Sequence, residues 1–386
     1  TPRQVTDVGQ AVGPPVSWGL MLPDATAMRD AATSFQRDGV AVVRGLLSEG
    51  EVDLVERAID RVVADPSELA IVMDEDGAGR FIEDFRAAGR FSEIARIVTS
   101  SAIGAWCGEM MDASLVRFHH DHVLSKEPGT RQRTPWHQDQ PRAYPPRFLG
   151  SRCEAKWPSA RRTPEQGLWP CEDVQRRGRL LRLTTLREGI PGCATRRCLT
   201  WPYRHTACVT RLDLRTLECL RDPRNRADRP FNIDGRQNIS MWIPVDPVSR
   251  AATLEFVAGS HKGPWLMPRT FMDNQAKWFP EGSLQDLPNV EADRDAFPIV
   301  GWEIEPGDVV CFHMLTLHAA GGVEGTNRRR VFSVRFLGDD TRHAPRPWKT
   351  SPEFPGLADE LPAGAEMDHP LFPLLVTGAG QTAATS

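Results

Sequence analysis

The spacing of hydrophobic residues divides the chain into a helical first part and a strand-rich remainder. Ser48 and Glu51 form a capping box, and the residues after them repeat on one helical face. The short β-branched run at 39–47 predicts a strand before this helix. A second amphipathic stretch covers residues 91–111. These patterns predict an N-terminal helical buttress with one early strand.

From Leu115 onward, hydrophobic residues follow the two-residue period of strands, and several segments end in Gly or Pro turns. Helices first and many strands later indicate an antiparallel β core rather than alternating β–α units. The predicted fold class is mainly β with flanking helices (α+β), in which the strands form a closed or sandwiched barrel. The clearest of these segments are LVRFHHDHVLSK, ISMWIPV, ATLEFVAG and RRVFSVRFLG.

Composition sets residues 142–229 apart from both patterns. This segment holds 20 basic and 9 acidic residues, a net charge of +11, whereas the rest of the chain carries −15. It is rich in Arg, Pro and Cys and lacks sustained periodicity. We predict that residues 1–141 and 230–386 form a single domain and that 142–229 is a poorly ordered insertion. A structured lid and a translated non-coding segment remain alternatives.

The same features narrow the classes of function. No apolar run approaches the roughly 18–20 residues of a membrane helix, and the N-terminus lacks a signal-peptide layout, so we expect a cytoplasmic protein without a membrane partner. The arginines of the insertion lack interleaved aromatic or helical order, which disfavours nucleic-acid binding. Its cysteines match no common zinc-site spacing. A small-molecule substrate is the expected partner, and the pattern leaves the oligomeric state open.

The stretch TPWHQDQP (134–141) is the first candidate for chemistry. His137 and Asp139 are two residues apart on a predicted strand, so their side chains share a face and can hold one ion. Two imidazoles and one carboxylate on a single face leave positions open on ferrous iron for substrate and dioxygen. His318, at the end of the apolar strand GDVVCFHMLTLH, is the best second histidine. His313 faces the opposite side by strand parity.

A cationic strand start follows His318 at NRRRVFSVRF (327–336). A dicarboxylate cosubstrate needs such a cation, because guanidinium binds a carboxylate through two parallel hydrogen bonds. Arg329 and Ser333 share a strand face, whereas Arg330 points away. Lys126 shares parity with the histidines of HHDH (119–122) and is a second candidate contact. We interpret one HHDH histidine as lining a pocket rather than forming another metal site.

Together, WHQDQP, WIPVDPVSRAATLEFVAGSHKG, PGDVVCFHMLTLHAAGG and RRRVFSVRF resemble the phytanoyl-CoA dioxygenase family of iron(II)- and 2-oxoglutarate-dependent oxygenases. The resemblance runs from about residue 35 to 375, apart from the insertion. It implies a double-stranded β-helix, a cupin-like jelly roll. It also implies that iron is held by His137, Asp139 and His318, and that Arg329 anchors the distal carboxylate of 2-oxoglutarate with help from Ser333 and the region of Lys126.

The expected activity follows from this resemblance. The chain would be a dioxygenase that uses Fe(2+), 2-oxoglutarate and O2 to hydroxylate an unactivated C–H bond of a small organic metabolite, with succinate and CO2 as coproducts. Related halogenases replace the carboxylate ligand with a small residue, so Asp139 favours hydroxylation over halogenation. The acidic charge outside the insertion favours a metabolite smaller than an acyl-CoA. The alternative is a catalytically impaired metal- or ligand-binding β-barrel disrupted by the insertion.

Overall fold

The fold combines two antiparallel sheets with a layer of helices. The computed structural model describes residues 25–75, 79–99, 101–130, 133–139, 231–268, 282, 284–323, 327–346, 350, 352–377 and 381–382. The segment 142–229 lies outside the described residues, so its assignment as an insertion stays a prediction. The described helices are α1 (Ala25–Asp38), α2 (Glu49–Ala64), α3 (Ser92–Val98), α4 (Ser101–Met111) and α5 (Leu357–Glu360).

Fifteen strands are present in the described part of the chain. Most are short, and two long ones form the centre of the larger sheet. The strands are β1 (Val40–Val43), β2 (Ile71–Glu75), β3 (Gly79–Phe85), β4 (Leu115–Lys126), β5 (Thr134–His137), β6 (Ile233–Asp234), β7 (Asn238–Pro244), β8 (Leu254–Val257), β9 (Ile299–Val300), β10 (Val309–Phe312), β11 (His318–Ala320), β12 (Arg329–Leu337), β13 (Arg342–His343), β14 (Leu374–Thr377) and β15 (Gln381–Thr382).

The larger sheet has the strand order β1-β10-β7-β12-β4-β14-β15, and the β2–β3 hairpin also joins β4. A smaller sheet has the order β5-β11-β8-β9, and β6 pairs with β13. Trp242 and Phe312 of the larger sheet pack with Phe256 and Ala320 of the smaller one in a shared apolar cluster. The two sheets therefore enclose an interior, which is the double-stranded β-helix, or jelly roll, that the sequence predicts.

Helices α1 to α4 cover the outer face of the larger sheet. Alternate strand residues point outward and pack with these helices in the largest apolar cluster. Burial of apolar surface in this layer is the main stabilising term for the outer face. This arrangement confirms the predicted helical buttress. None of the described helices has the length and apolar content that crossing a bilayer requires. The outward strand residues include Ala41, Ile239, Met241, Phe332, Val334 and Phe336.

Two local features go beyond the prediction. The amphipathic stretch 91–111 forms two helices, since α3 ends at Val98 and α4 begins at Ser101. The Thr99 hydroxyl donates to the carbonyl of Ala95 at 2.8 Å at the end of α3. Strands β2 and β3 were not predicted, although Asp-Gly in DEDGAG (74–79) is a hairpin signal. Strand β3 matters for the interior because Phe81 lies opposite Lys126 and Phe85 opposite His122.

A buried arginine joins the helical layer to the sheet. The Arg330 guanidinium contacts Glu56 at 2.6 Å and Asp60 at 3.0 Å on α2, and Asp246 at 2.6 Å after β7. Its side chain is 5% exposed, so a charge at this depth is tolerated because three carboxylates surround it. Arg330 points outward from β12, as strand parity predicts.

We expect Arg330→Met to lower the free energy of unfolding by about 2 kcal/mol, as measured by urea titration. The loss should fall below the roughly 3–5 kcal/mol of a fully buried pair, because Glu56 and Asp60 remain partly exposed and hydrated. Arg328→Met is the matched control. Arg328 is 39% exposed and 4.0 Å from Asp60, so its replacement should change stability by less than about 0.5 kcal/mol. Equal effects of the two substitutions would contradict the assignment.

Candidate metal centre

The two candidate histidines lie on neighbouring strands of the smaller sheet. Strand β5 ends at His137, β11 begins at His318, and these two residues are partners in the antiparallel register. Two placements differ from the prediction, because Asp139 lies after the end of β5 rather than on the strand, and His318 begins a strand rather than ending one. The backbone N–H of Asp139 donates to the carbonyl of Met314 at 2.9 Å. Sheet pairing and this backbone hydrogen bond therefore bring together three residues that are far apart in the chain.

Their side chains converge on one point. Oδ1 of Asp139 lies 3.6 Å from Nε2 of His137 and 3.5 Å from Nε2 of His318. All three ligand atoms lie within 4.8 Å of one another, and no other group of three such side chains occurs among the described residues. Ligands bound at about 2.1 Å would be about 3.0 Å apart when adjacent on an ion and about 4.2 Å apart when opposite, so both measured distances lie within the range of a shared ion.

Each imidazole is fixed in the tautomer that a metal ligand needs. Nδ1 of His137 donates to the carbonyl of Pro135 at 2.8 Å, and Nδ1 of His318 donates to that of Thr316 at 2.8 Å. A carbonyl only accepts, so the proton is on Nδ1 and the Nε2 lone pair faces the other two ligands. Two lone pairs and one carboxylate oxygen converge, and a cation is the group that fits between them.

Burial controls the protonation of this cluster. Desolvation, followed by the nearby His137, lowers the pKa of His318 to about 4, so its imidazole is neutral at pH 7. Phe256 and Phe312 flank its ring. Burial raises the pKa of Asp139, but the electrostatic effects of His318, Arg335 and His137 outweigh it, and the net direction is downward. A neutral imidazole beside an ionised carboxylate is the protonation state required for metal binding.

Neighbouring loops hold the ligand-bearing segments in place. The side chain of Gln138 bridges two of them, donating to the carbonyl of Leu315 at 2.8 Å and accepting from the N–H of Leu266 at 3.1 Å. The Ser260 hydroxyl accepts from the N–H of Leu317 at 2.8 Å. These contacts fix the turn before His318 and the residue between the two ligands of the His-x-Asp motif. The sequence analysis missed the role of Gln138, since only the fold brings Leu315 and Leu266 beside it.

Arg329 lies inside the barrel at the start of β12. Its guanidinium donates to the carbonyl oxygens of Ala252 and Gly321 and lies 5.9 Å from the ring centre of Trp242. Burial lowers the pKa of Arg329 to about 10, so the side chain stays charged at pH 7. Gly321 is needed here, because a Cβ at this position would overlap the carbonyl of Ala251.

The other two predicted cosubstrate residues lie on the same interior surface. Lys126 is the register partner of Arg329 on β4, and its Nζ lies 5.0 Å from the ring centre of Phe81. Burial, followed by the charge of Arg329, lowers the pKa of Lys126 to about 7. Ser333 is further along β12, and its hydroxyl accepts from Nη1 of Arg335 at 2.8 Å. The structure thus places Arg329 beside Lys126, with Ser333 four residues away on the strand face they share.

The other histidines that the structure describes do not join the cluster. His313 lies between β10 and β11, so the predicted strand parity with His318 does not apply, and its Nε2 donates to the carbonyl of Arg236 at 2.8 Å. His119 and His120 are buried against each other, with their Nδ1 atoms 3.0 Å apart. His122 stacks on Phe85 with ring centres 4.1 Å apart. HHDH therefore contributes packing and a polar wall in the described part of the protein, which fits the predicted pocket-lining role.

Comparison with known proteins identifies the family of this chain. The family model described as phytanoyl-CoA dioxygenase (PhyH) matches residues 35–167 and 223–331. A probable phytanoyl-CoA dioxygenase of Caenorhabditis elegans is 32% identical over 101 residues, which cover 26% of this chain and 30% of that protein. The chain thus aligns with less than a third of the length of this relative. Both matches concern the family, and neither identifies a substrate.

Solved structures share the fold at low sequence identity. The non-haem α-ketoglutarate-dependent epimerase SnoN from nogalamycin biosynthesis is 18% identical, with a TM-score of 0.54, over 91% of this chain and 99% of that one. The α-ketoglutarate-dependent carbocyclase SnoK from the same biosynthesis is 17% identical, with a TM-score of 0.53, over 89% and 95%. With a family model that matches more than half of its length, the chain belongs to the phytanoyl-CoA dioxygenase family of non-haem iron, 2-oxoglutarate-dependent oxygenases.

Proposed function

We propose that this enzyme hydroxylates an unactivated C–H bond of a small organic metabolite, with iron held by His137, Asp139 and His318. The convergence of two imidazoles and one carboxylate inside a 2-oxoglutarate oxygenase fold carries this proposal. Three ligands on one face leave the remaining positions of the ion open. When bound, ferrous iron with 2-oxoglutarate and dioxygen supplies the oxidising power, and the cosubstrate leaves as succinate and carbon dioxide.

The ligands contribute geometry and charge. The carbonyls of Pro135 and Thr316 hold both imidazoles with Nε2 facing inward, and the lowered pKa of Asp139 keeps its carboxylate ionised. The carboxylate also argues for hydroxylation, because halogenases of this type leave that position for a halide. SnoN is described as an epimerase and was solved in complex with Fe3+, α-ketoglutarate and nogalamycin RO. The same fold therefore also supports a reaction other than hydroxylation.

Arg329 and Lys126 supply the charge for the cosubstrate. Two like charges buried side by side repel each other, and a bound carboxylate would relieve that repulsion. The distal carboxylate of 2-oxoglutarate fits this position because the guanidinium offers it charge-assisted hydrogen bonds. Ser333 keeps its own O–H available for donation, since its oxygen accepts from Arg335. Cytoplasmic location and the preference for a small metabolite remain expectations from the sequence.

The first test removes the carboxylate ligand. Wild-type protein with ferrous iron, 2-oxoglutarate and air should produce succinate slowly without added substrate, and Asp139→Ala should retain about 1% of this rate or less. Loss of a supporting residue alone costs about 10–100-fold, so loss of a ligand should cost at least as much. Asp53→Ala, on the exposed side of α2, is the control and should match the wild type.

Two results would contradict or redirect this proposal. Undiminished succinate formation by Asp139→Ala would show that the Asp139 carboxylate is not a metal ligand. A folded wild type whose melting temperature rises with 2-oxoglutarate, but which forms no succinate, would instead support the catalytically impaired binding protein.

The second test concerns the cosubstrate anchor. We expect Arg329→Met to raise the KM for 2-oxoglutarate roughly 100-fold, because a buried charge-assisted pair contributes about 3 kcal/mol. The change in kcat at saturating cosubstrate should be much smaller, which separates lost binding from a misfolded site. Arg328→Met, one residue earlier and partly exposed, should leave KM unchanged. A KM within threefold of wild type in Arg329→Met would exclude the assigned role.

A third test uses pH. The dianionic cosubstrate binds best when Lys126 is protonated, and the pKa of Lys126 is lowered to about 7. The Kd for 2-oxoglutarate should therefore rise as pH increases from 6 to 8, because Lys126 loses its charge in this window. Lys126→Met should bind more weakly at pH 6 and show a flatter profile. Equal pH profiles for the two proteins would show that Lys126 does not contact the cosubstrate.

A further inference from the structure

Arg335 is a buried cation that neither the fold nor the cosubstrate anchor accounts for. It lies on the same face of β12 as Arg329 and Ser333, opposite His120 on β4 and Ser240 on β7. Its side chain is 8% exposed. Burying a guanidinium this deeply destabilises the folded protein unless a group of opposite charge lies beside it.

The partner is the carboxylate of the candidate metal centre. Nη2 of Arg335 lies 3.6 Å from Oδ2 of Asp139, and Nη1 donates to the Ser333 hydroxyl at 2.8 Å. The two oxygens of Asp139 thus face different groups: Oδ1 faces both imidazoles and Oδ2 faces the guanidinium. Among the described residues, Oδ2 has no hydrogen bond. The ion pair with Arg335 is therefore the contact that opposes rotation of this carboxylate.

Arg335 and Arg329 have different partners on the interior face of β12. The guanidinium of Arg329 donates to the carbonyl oxygens of Ala252 and Gly321. The guanidinium of Arg335 contacts Asp139 and the Ser333 hydroxyl instead. The two arginines therefore serve different groups.

We propose that Arg335 is a positioning residue that holds Oδ2 of Asp139 toward its guanidinium, so that Oδ1 would be the oxygen that Asp139 offers to the metal. This inference rests on the proposed metal site and deepens it. Binding through one oxygen leaves more of the coordination sphere for cosubstrate and dioxygen than binding through two. Through Ser333, the same guanidinium also links the carboxylate to the predicted cosubstrate pocket.

The test measures metal binding directly, without turnover. Anaerobic titration with Mn2+ should give a Kd about 10–100-fold higher for Arg335→Met than for wild type, the range for residues that orient a metal ligand. Arg335→Lys keeps the charge but not the planar fork, so it should recover part of the affinity. The visible absorption of the Co2+-loaded protein, which reports coordination number, should differ from wild type in both variants.

Arg330→Met is the matched control. Arg330 is also buried and adjacent on β12, but it faces outward to Glu56, Asp60 and Asp246. At a temperature where it is folded, this variant should bind Mn2+ with the wild-type Kd and give the wild-type Co2+ spectrum.

The outcomes separate this inference from the proposed function. If wild type binds Mn2+ and Arg335→Met and Arg335→Lys bind it equally well with unchanged Co2+ spectra, the positioning role is wrong and the metal site stands. If Arg335→Met does not fold, an unchanged Kd and spectrum in Arg335→Lys are sufficient to overturn it. If folded wild-type protein binds neither ion, both the metal site and the positioning role are wrong.

Discussion

The antiparallel pairing of β5 with β11 is the constraint on which the candidate site depends. It sets His137 opposite His318, although the two residues are far apart in the chain. Each imidazole then donates to the carbonyl two residues before it, at Pro135 and at Thr316. The backbone around each histidine thus fixes its tautomer locally, whereas the sheet alone fixes the distance between the rings.

The two faces of strand β12 have different roles. Its interior face carries residues of the candidate site, and its outward face contributes to stability. Arg329, Ser333 and Arg335 point into the interior, where positive charge faces the carboxylate ligand and the predicted cosubstrate. Arg330 points outward and joins α2 to the sheet through three carboxylates. Because side chains alternate along a strand, adjacent arginines with the same chemistry have unrelated roles. Substitutions on one face should therefore perturb the other only weakly.

Strand parity and motif spacing were enough to predict much of this from the sequence. Motif spacing grouped His137 with Asp139, strand parity placed Arg330 on the outward face of β12, and periodicity indicated a mainly β fold behind helices. Parity could not place His313, because a turn separates it from β11. The contact between Arg335 and Asp139 was not predictable, because these residues meet only when β12 and the segment after β5 are placed in space. The lowered pKa of Lys126 could not be predicted from the sequence either. It depends on burial beneath Phe81, which belongs to the hairpin that periodicity missed.

Strand β5 is four residues long and occupies an edge of the smaller sheet, so within the described chain it pairs with β11 alone. Short edge strands open locally at low free energy. An ion shared between the end of β5 and β11 would act as a crosslink between these neighbours, and ligand binding to the closed form suppresses opening. Metal content would then set the local opening rate of this edge, and hydrogen exchange at the β5 amides would report the fraction of loaded enzyme without any turnover.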